Sequence, residues 1–342
     1  ALGEAIFQTL KIIFLILLLF FSRSVGGVFI VLSLSIFLSL VFTSWIIVKK
    51  YPFLIRGNTI PVERRRMLRF SGYLTLSSMT LLFLANMDKL VLGYFLDLKF
   101  IGFYNAIFSV VVGVLGTIGV TSVFLPFFTQ LKGKILDNAF RKTFKYLSLL
   151  AFPSSIGLAF VMVPLLRVLY GAEYVPAEYM FSILLTSVLL SLLILESILS
   201  STYTVLLNAR EKPKIPALIT LATATANLIL NIILIYFLSR INPSYGLVGA
   251  AFATFITRYA GLFSIMVVSS KKIGLKPEKS HITKPLFASL IMLAYLFSFS
   301  YLVDLSILTG IIMIISAAIV YLISILLIKG LSFEEIKELF NK

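Results

Sequence analysis

The sequence predicts an all-α, polytopic membrane protein with ten transmembrane helices. Three observations carry this. Hydrophobic residues make up 60% of the 342 residues and charged residues only 13%, against about 25% charged in a soluble domain. The apolar runs have the length of about 17–25 residues that crosses a bilayer as a helix. The basic residues collect in every second loop, which is a topology signal. Period-two alternation, the mark of a membrane barrel, does not run through the segments.

Composition excludes several chemistries. With no cysteine, disulfides, thiol nucleophiles and thiolate metal sites are ruled out. The one histidine, His281, lies in a polar loop and reads as a solvated side chain rather than a metal ligand. The formal charge of +16 sits in loops between apolar segments, so it speaks for membrane topology and not for nucleic acid.

Taken in order, the expected spans are 5–21, 28–48, 70–96, 101–131, 144–169, 179–207, 215–238, 247–268, 285–303 and 305–328. Four loops are basic: 49–69 holds seven Lys or Arg, 132–142 four, 208–214 three and 270–284 five. The loops near Arg23, Lys99, Glu173, Arg240 and Asp304 hold three together. Nineteen against three in short loops assigns the basic loops, and both ends of the chain, to the cytoplasm. The tail after Leu331 reads as a short amphipathic helix, with Ser332 and Glu335 as a capping box and Phe333, Ile336 and Phe340 towards the membrane. A solvated end is the alternative.

The chain starts at Ala1, without methionine or a signal-peptide pattern. FFSRSVGGVFIVLSLS near the start parallels FLSRINPSYGLVGAAFAT further on: apolar helix, Ser-Arg, a glycine turn, then small residues. The expectation is that the first two helices close a repeat whose earlier members are absent. The basic segment 49–69 then joins two lobes, with transport sites at the repeat interface.

Polar residues inside spans are costly and therefore informative; a charge at the bilayer centre costs at least about 2.5–3.5 kcal/mol. Six ionisable residues stand out. Lys11 and Arg167 lie close enough to span ends to snorkel. Asp88 and Lys89 lie about two turns from the end of the third span. Glu196 and Arg258 lie nearest the middle of theirs, and either pair with each other between packed helices or line a polar cavity. Spacing of three or four residues favours a cavity. Glu196, Ser200, Thr204 and Asn208 form one stripe; Thr220, Thr223, Asn227 and Asn231 form another. Thr254, Thr257, Arg258 and Gly261 share a face, and Asn105, Ser109, Gly113, Thr117 and Thr121 recur on the fourth span. Small-residue stripes also serve plain helix packing. Pro153 and Pro164 kink the fifth span and free carbonyls there.

Four stretches carry a family resemblance. NMDKLVLGYFLDLKFIGFYNAIFSV at 86–110 places Asp88, Lys89, Gly93, Gly102, Tyr104 and Ala106 as in lipid-linked oligosaccharide flippases of the polysaccharide, O-antigen type. LPFFTQL at 125–131 and VLYGAEYVPA at 168–177 resemble that family's next helix end and turn. Asn227, Asn231, Gly246, Gly249, Ala250, Ala251, Ala253 and Thr254 resemble its late helix pair. The resemblance extends from the family's fifth helix onwards, within the multidrug/oligosaccharidyl-lipid/polysaccharide exporter superfamily. It implies a two-lobe exporter fold with a partial first lobe. Residues 1–48 are then the last two helices of the N-terminal lobe and 49–69 a basic cytoplasmic linker. Residues 70–270 form a six-helix C-terminal lobe, and 271–342 two accessory helices and the tail.

What the resemblance implies about function is a flippase, not an enzyme, of the cell membrane. It moves a polyprenyl-diphosphate-linked oligosaccharide to the outer leaflet by alternating access through a cationic cavity. No cofactor is implied beyond coupling to H+ or Na+, and the partners are the lipid-linked glycan, membrane lipids and glycan-assembly enzymes. Arg258 and Lys89 are candidate phosphate or sugar contacts, since arginine forks onto phosphate. Glu196, Asn227 and Asn231 are candidate sugar contacts; Asp88 and Glu196 are candidates for a structural or ion-coupling role. The rivals are a cation-coupled multidrug exporter of the same fold, a membrane glycosyltransferase or polymerase, and a non-transporting scaffold. The short outer loops and the lack of paired acids or metal ligands weigh against the enzyme.

Overall fold

The computed structural model describes residues 2–21, 24–52, 64–118, 124–274, 277–303 and 306–331. In chain order the helices are α1 (Leu2–Phe21), α2 (Val25–Lys50), α3 (Arg64–Phe95), α4 (Leu98–Ile118), α5 (Phe124–Gln130), α6 (Gly133–Tyr170), α7 (Met180–Ala209), α8 (Lys214–Ile241), α9 (Tyr245–Ile273), α10 (Ser280–Leu302) and α11 (Ile307–Leu327). Among the described residues there is no strand. Nine described helices are long and apolar enough to cross a membrane, and the chain is a multi-pass helical membrane protein. The first expected span falls on α1, whose described apolar part, Ile6–Leu18, is shorter than a crossing. The expected fourth span is carried by α4 and the short α5, with 119–123, and so Thr121, outside the described residues. The amphipathic tail and the loop residues Arg23 and Asp304 also lie outside them.

Two helices overrun their apolar runs. α3 begins inside the basic segment, at Arg64. α6 has 38 residues, about 57 Å at 1.5 Å per residue, well beyond the roughly 30 Å hydrocarbon core. Its first turns, with Lys134, Arg141 and Lys142, therefore project past the apolar layer at the end of the bundle that carries the basic loops.

The chain divides into two compact units, Ala1–Arg64 and Arg65–Lys342. In the first, α1 packs on α2. Ser24 caps α2, its Oγ accepting from the Gly27 N–H at 3.1 Å. In the second, α7 packs against α6 and α9, and α8 lies along α9. Gly249 permits that last approach: a Cβ there would stand 2.9 Å from the backbone oxygen of Leu234. The α8–α9 turn is held locally, because Asn242 Oδ1 accepts from the Ser244 N–H at 2.9 Å.

Three apolar clusters fill the second unit. One centres on Tyr104, Ile107, Met162, Leu190 and Ala250. Another stacks Phe140 and Phe144 edge-on to Tyr203, at 5.3 and 5.9 Å between ring centroids. The third joins α10 and α11 through Ala288, Met292, Leu296, Met313, Ala317 and Tyr321. The buried positions of α11 (Met313, Ala317, Tyr321, Ser324 and Ile325) recur every three or four residues, one helix face. Its other faces expose Ile311, Ile315, Ile319 and Leu322, as suits contact with lipid tails.

α6 runs on through Pro153 and Pro164 and shows how a proline is accommodated. Pro153 has no N–H to give to the carbonyl of Leu149, four residues back. The Tyr321 hydroxyl, from α11, donates to that carbonyl at 2.8 Å instead. Tyr321→Phe is thus expected to leave a buried carbonyl unpaired and to lower stability by about 1–3 kcal/mol. Thermal unfolding of the purified variant in detergent measures it, and an unchanged midpoint would show that water reaches Leu149.

Candidate functional site

The mid-span polar residues gather into two constellations in the second unit. The first is a closed network around Asp88 of α3. Its carboxylate accepts from the Tyr104 hydroxyl of α4 at 2.5 Å. The Thr254 hydroxyl of α9 lies 2.9 and 2.8 Å from its two oxygens. The Asn231 amide of α8 donates to it at 2.7 Å and to Asn227 Oδ1 at 3.0 Å. Asn227 in turn donates to Thr254 Oγ1 at 2.9 Å and to Thr257 Oγ1 at 3.3 Å. Asp88, Tyr104, Asn227, Asn231 and Thr254 are each at most 2% exposed. One acceptor in the network, Asn231 Oδ1, is buried without a hydrogen-bond partner.

The second constellation lines a cleft of about 220 Å3 between α3, α7, α8 and α9. At its inner end Arg258 Nε donates to Glu196 Oε2 at 2.7 Å and Arg258 Nη2 donates to Ser197 Oγ at 2.9 Å. The Glu196 side chain is 5% exposed and that of Arg258 19%. The remaining wall is mostly apolar, from Leu81, Leu84, Ile219 and Ile265, with Ser77, Ser200, Ser201, Thr204, Thr220 and Thr223 set among them. All these residues lie between the Glu196–Arg258 level and the helix ends that carry the basic loops. At that end Arg66 Nε donates to Glu211 Oε2 at 3.1 Å, tying α3 to the α7–α8 turn. Because Glu196 offsets Arg258, the pair adds no net charge to the cleft.

The stripes seen in the sequence converge, though not all in one place. Glu196, Ser200, Thr204, Thr220, Thr223, Arg258 and Gly261 meet at the cleft. Asn227 and Asn231 continue the face of Thr220 and Thr223 but stand higher on α8, where α3 and α9 close over them. They face Asp88, not the cleft. Of the two readings of Glu196 and Arg258, the ion pair is present and it also forms part of a cavity wall.

Lys89 joins neither constellation. Its ammonium donates to Asn86 Oδ1 at 3.2 Å and lies 5.0 Å from the Phe108 ring centroid. On α4 the expected stripe of Asn105, Ser109, Gly113 and Thr117 is exposed along one face. Lys11 sits 5.5 Å from the Phe7 ring at the middle of α1, and Arg167 is exposed in the last turn of α6.

Sequence spacing alone did not single out Tyr104 as a partner of Asp88. The signal was there: the two stand about equally far from the turn between Phe95 and Leu98, so antiparallel helices bring them to one height. The same symmetry about the turn at Asn242–Ser244 brings Asn231 and Thr254 to one height, where both bond to Asp88. Ser197 was likewise missed, since nothing in the stripe pattern sets it beside Arg258.

Residues 4–178 match the model of a family described as polysaccharide biosynthesis protein. The chain belongs to that family. The matched part holds Asp88, Lys89 and Tyr104, while Glu196, Asn227, Asn231 and Arg258 lie beyond it. The chain is also 27% identical over 250 residues to the probable low-salt glycan biosynthesis flippase Agl15 of Haloferax volcanii, covering 71% of this chain and 50% of that protein. The chain therefore spans about half the length of the curated relative it matches. No solved structure matches it.

Proposed function

We propose that the protein is a flippase for a lipid-linked oligosaccharide in cell-surface glycan assembly, and that it transports rather than catalyses. The observation that carries this reading is a cleft with a buried ion pair and serine and threonine side chains among apolar ones, set among helices apolar enough to span a bilayer. Sugars offer hydroxyls to such a wall, and the lipid tail stays in the surrounding hydrocarbon. In this reading residues 1–48 end a first lobe, 70–270 form the second and the basic loops face the cytoplasm. The cleft then opens to the leaflet where such a cargo is built, and glycan-assembly enzymes deliver it.

The charges divide the labour. Arg258 is neutralised by Glu196, so the cleft suits the neutral glycan more than the diphosphate. Among the described residues Lys89 meets an amide oxygen and an aromatic face, neither of which neutralises its charge. The exposed polar face of α4 next to it is costly against lipid and suits the wall of a watery path. The Asp88 network is the candidate for coupling to H+ or Na+. It is built of oxygen donors with one unpaired buried acceptor, a donor set that fits a hard cation.

The test is reconstitution of the full-length protein in liposomes with a fluorescent polyprenyl-diphosphate oligosaccharide, scored by its appearance in the opposite leaflet. Lys89→Ala is expected to slow flipping by about 10–150-fold, the loss of one charge-assisted hydrogen bond, with the fold intact because Lys89 supports no buried partner. Wild-type protein that leaves the probe in place but exports a cationic dye would favour the drug exporter instead.

A further inference from the structure

A row of aromatic rings crosses the ends of α3 and α8 that lie opposite the basic loops. Tyr94 meets Phe95 edge-on at 5.0 Å between centroids, Phe95 meets Tyr236 at 5.9 Å, and Tyr236 meets Phe237 at 5.3 Å. The Arg240 guanidinium lies over the Tyr236 ring, its carbon 4.3 Å from the centroid. α8 ends one residue later, at Ile241, and the polar turn Asn242–Ser244 follows. Tyrosines gather where hydrocarbon gives way to headgroups. The row therefore marks that boundary, and Arg240 stands at the depth of lipid phosphates.

Three described cations stand in terminal turns at this end of the second unit, and they differ in what holds them. Lys99 donates to the Tyr179 hydroxyl at 3.2 Å and has the carboxylates of Asp97 and Glu178 nearby. Arg167 is exposed in the last turn of α6, with neither a ring nor a carboxylate on it among the described residues. Arg240 alone is seated, on Tyr236, and that contact engages the ring face while no acceptor among the described residues meets its N–H groups. Below it, towards the middle of the bundle, Ile229, Ile233 and Phe237 are exposed and share one face of α8 with it. A cation at headgroup depth over an exposed apolar stripe matches one amphiphile, with its phosphate on the guanidinium and a chain along the helix. Arginine holds phosphate oxygens through two parallel N–H bonds, and the stack on Tyr236 positions the guanidinium before the anion arrives.

We propose that Arg240, seated on Tyr236, binds the phosphate of an anionic lipid in the leaflet opposite the basic loops. Two lipids offer that phosphate. One is a bulk anionic lipid of the membrane. The other is the polyprenyl diphosphate that a flippase of the proposed orientation releases on this side, and only that source rests on the flippase reading.

The chain has no cysteine, so Ile241→Cys, at an exposed position beside Arg240, takes a single fluorophore there. The labelled full chain is placed in phosphatidylcholine nanodiscs with spin-labelled phosphatidylglycerol or spin-labelled phosphatidylcholine, and quenching reports which lipid gathers at the label. Phosphatidylglycerol is expected to be preferred about fivefold, the value of one arginine near a membrane surface. Adding Arg240→Gln is expected to abolish the preference, and adding Arg167→Gln to leave it intact. Equal quenching by the two lipids without either arginine substitution overturns the proposal, whatever the variants do. A preference that persists in Arg240→Gln overturns it, and so do equal losses in both variants, which would show a diffuse surface attraction. Relief of quenching by inorganic phosphate at the concentration of the lipid overturns the lipid assignment in favour of a free-phosphate site. Unlabelled phosphatidylglycerol and unlabelled polyprenyl diphosphate then compete for the site. Relief by phosphatidylglycerol alone sustains the site with bulk lipid as its source and leaves the flippase reading where it was. Relief by polyprenyl diphosphate at the lower concentration sustains it as a contact for released cargo, and relief by neither overturns it.

Discussion

Asp88→Ala is expected to be the most damaging single truncation in the chain. It removes the acceptor of three buried donors at once: the Tyr104 hydroxyl, the Thr254 hydroxyl and the Asn231 amide. Each buried donor left unpaired costs about 1–3 kcal/mol, and a whole fold is stable by only about 5–15 kcal/mol. Failure to purify as a monodisperse species in detergent is the anticipated outcome. Asp88→Asn separates structure from coupling. One oxygen remains to accept, and the hydroxyls of Tyr104 and Thr254 can turn to accept from the new amide. A loss of about 1–3 kcal/mol and a folded protein are expected. That variant cannot ionise, so flipping driven by an imposed proton or sodium gradient should vanish in liposomes. Wild-type gradient-driven flipping in Asp88→Asn would reduce Asp88 to a strut that ties α3, α4, α8 and α9 together.

How much of this was legible in the sequence depends on range. Nearest-neighbour physics predicts the spans well: expected 215–238 becomes Lys214–Ile241 and expected 305–328 becomes Ile307–Leu327. Hydropathy is less able to say where a helix ends once it leaves the membrane. Gly133–Tyr170 begins eleven positions before its expected start at 144, because nothing between Gly133 and Phe144 breaks a helix. The stripe of Thr220, Thr223, Asn227 and Asn231 was visible as one face of α8. That its two halves meet different surroundings was not, since Asp88 is 143 residues from Asn231 and 166 from Thr254. Likewise the mid-span charges Glu196 and Arg258 were visible, but the bond from Arg258 to Ser197 comes only with the α7–α9 packing.

The ion pair changes what a simple test of Arg258 can mean. Arg258→Ala is expected to destabilise the protein by about 3–5 kcal/mol, because it leaves a carboxylate that is 5% exposed without its partner. Lost flipping in that variant would not by itself implicate Arg258 in cargo contact. A double variant removes the ambiguity. With Glu196→Gln and Arg258→Gln no charge is stranded and the two amides can bond to each other, so stability should return most of the way to wild type, as when buried ion pairs are replaced by neutral groups. Flipping of the fluorescent lipid-linked oligosaccharide is expected to stay down by about 10–150-fold, the value of one charge-assisted hydrogen bond to cargo. Normal flipping with normal stability would mean that the pair only fastens α7 to α9. The exchange Glu196→Arg with Arg258→Glu sharpens the contrast. It keeps both charges between the helices but moves the cation to the α7 side of the cleft, so it preserves a fastener and displaces a cargo contact. Recovery of stability without recovery of flipping is therefore the outcome that ties Arg258 to the transported molecule.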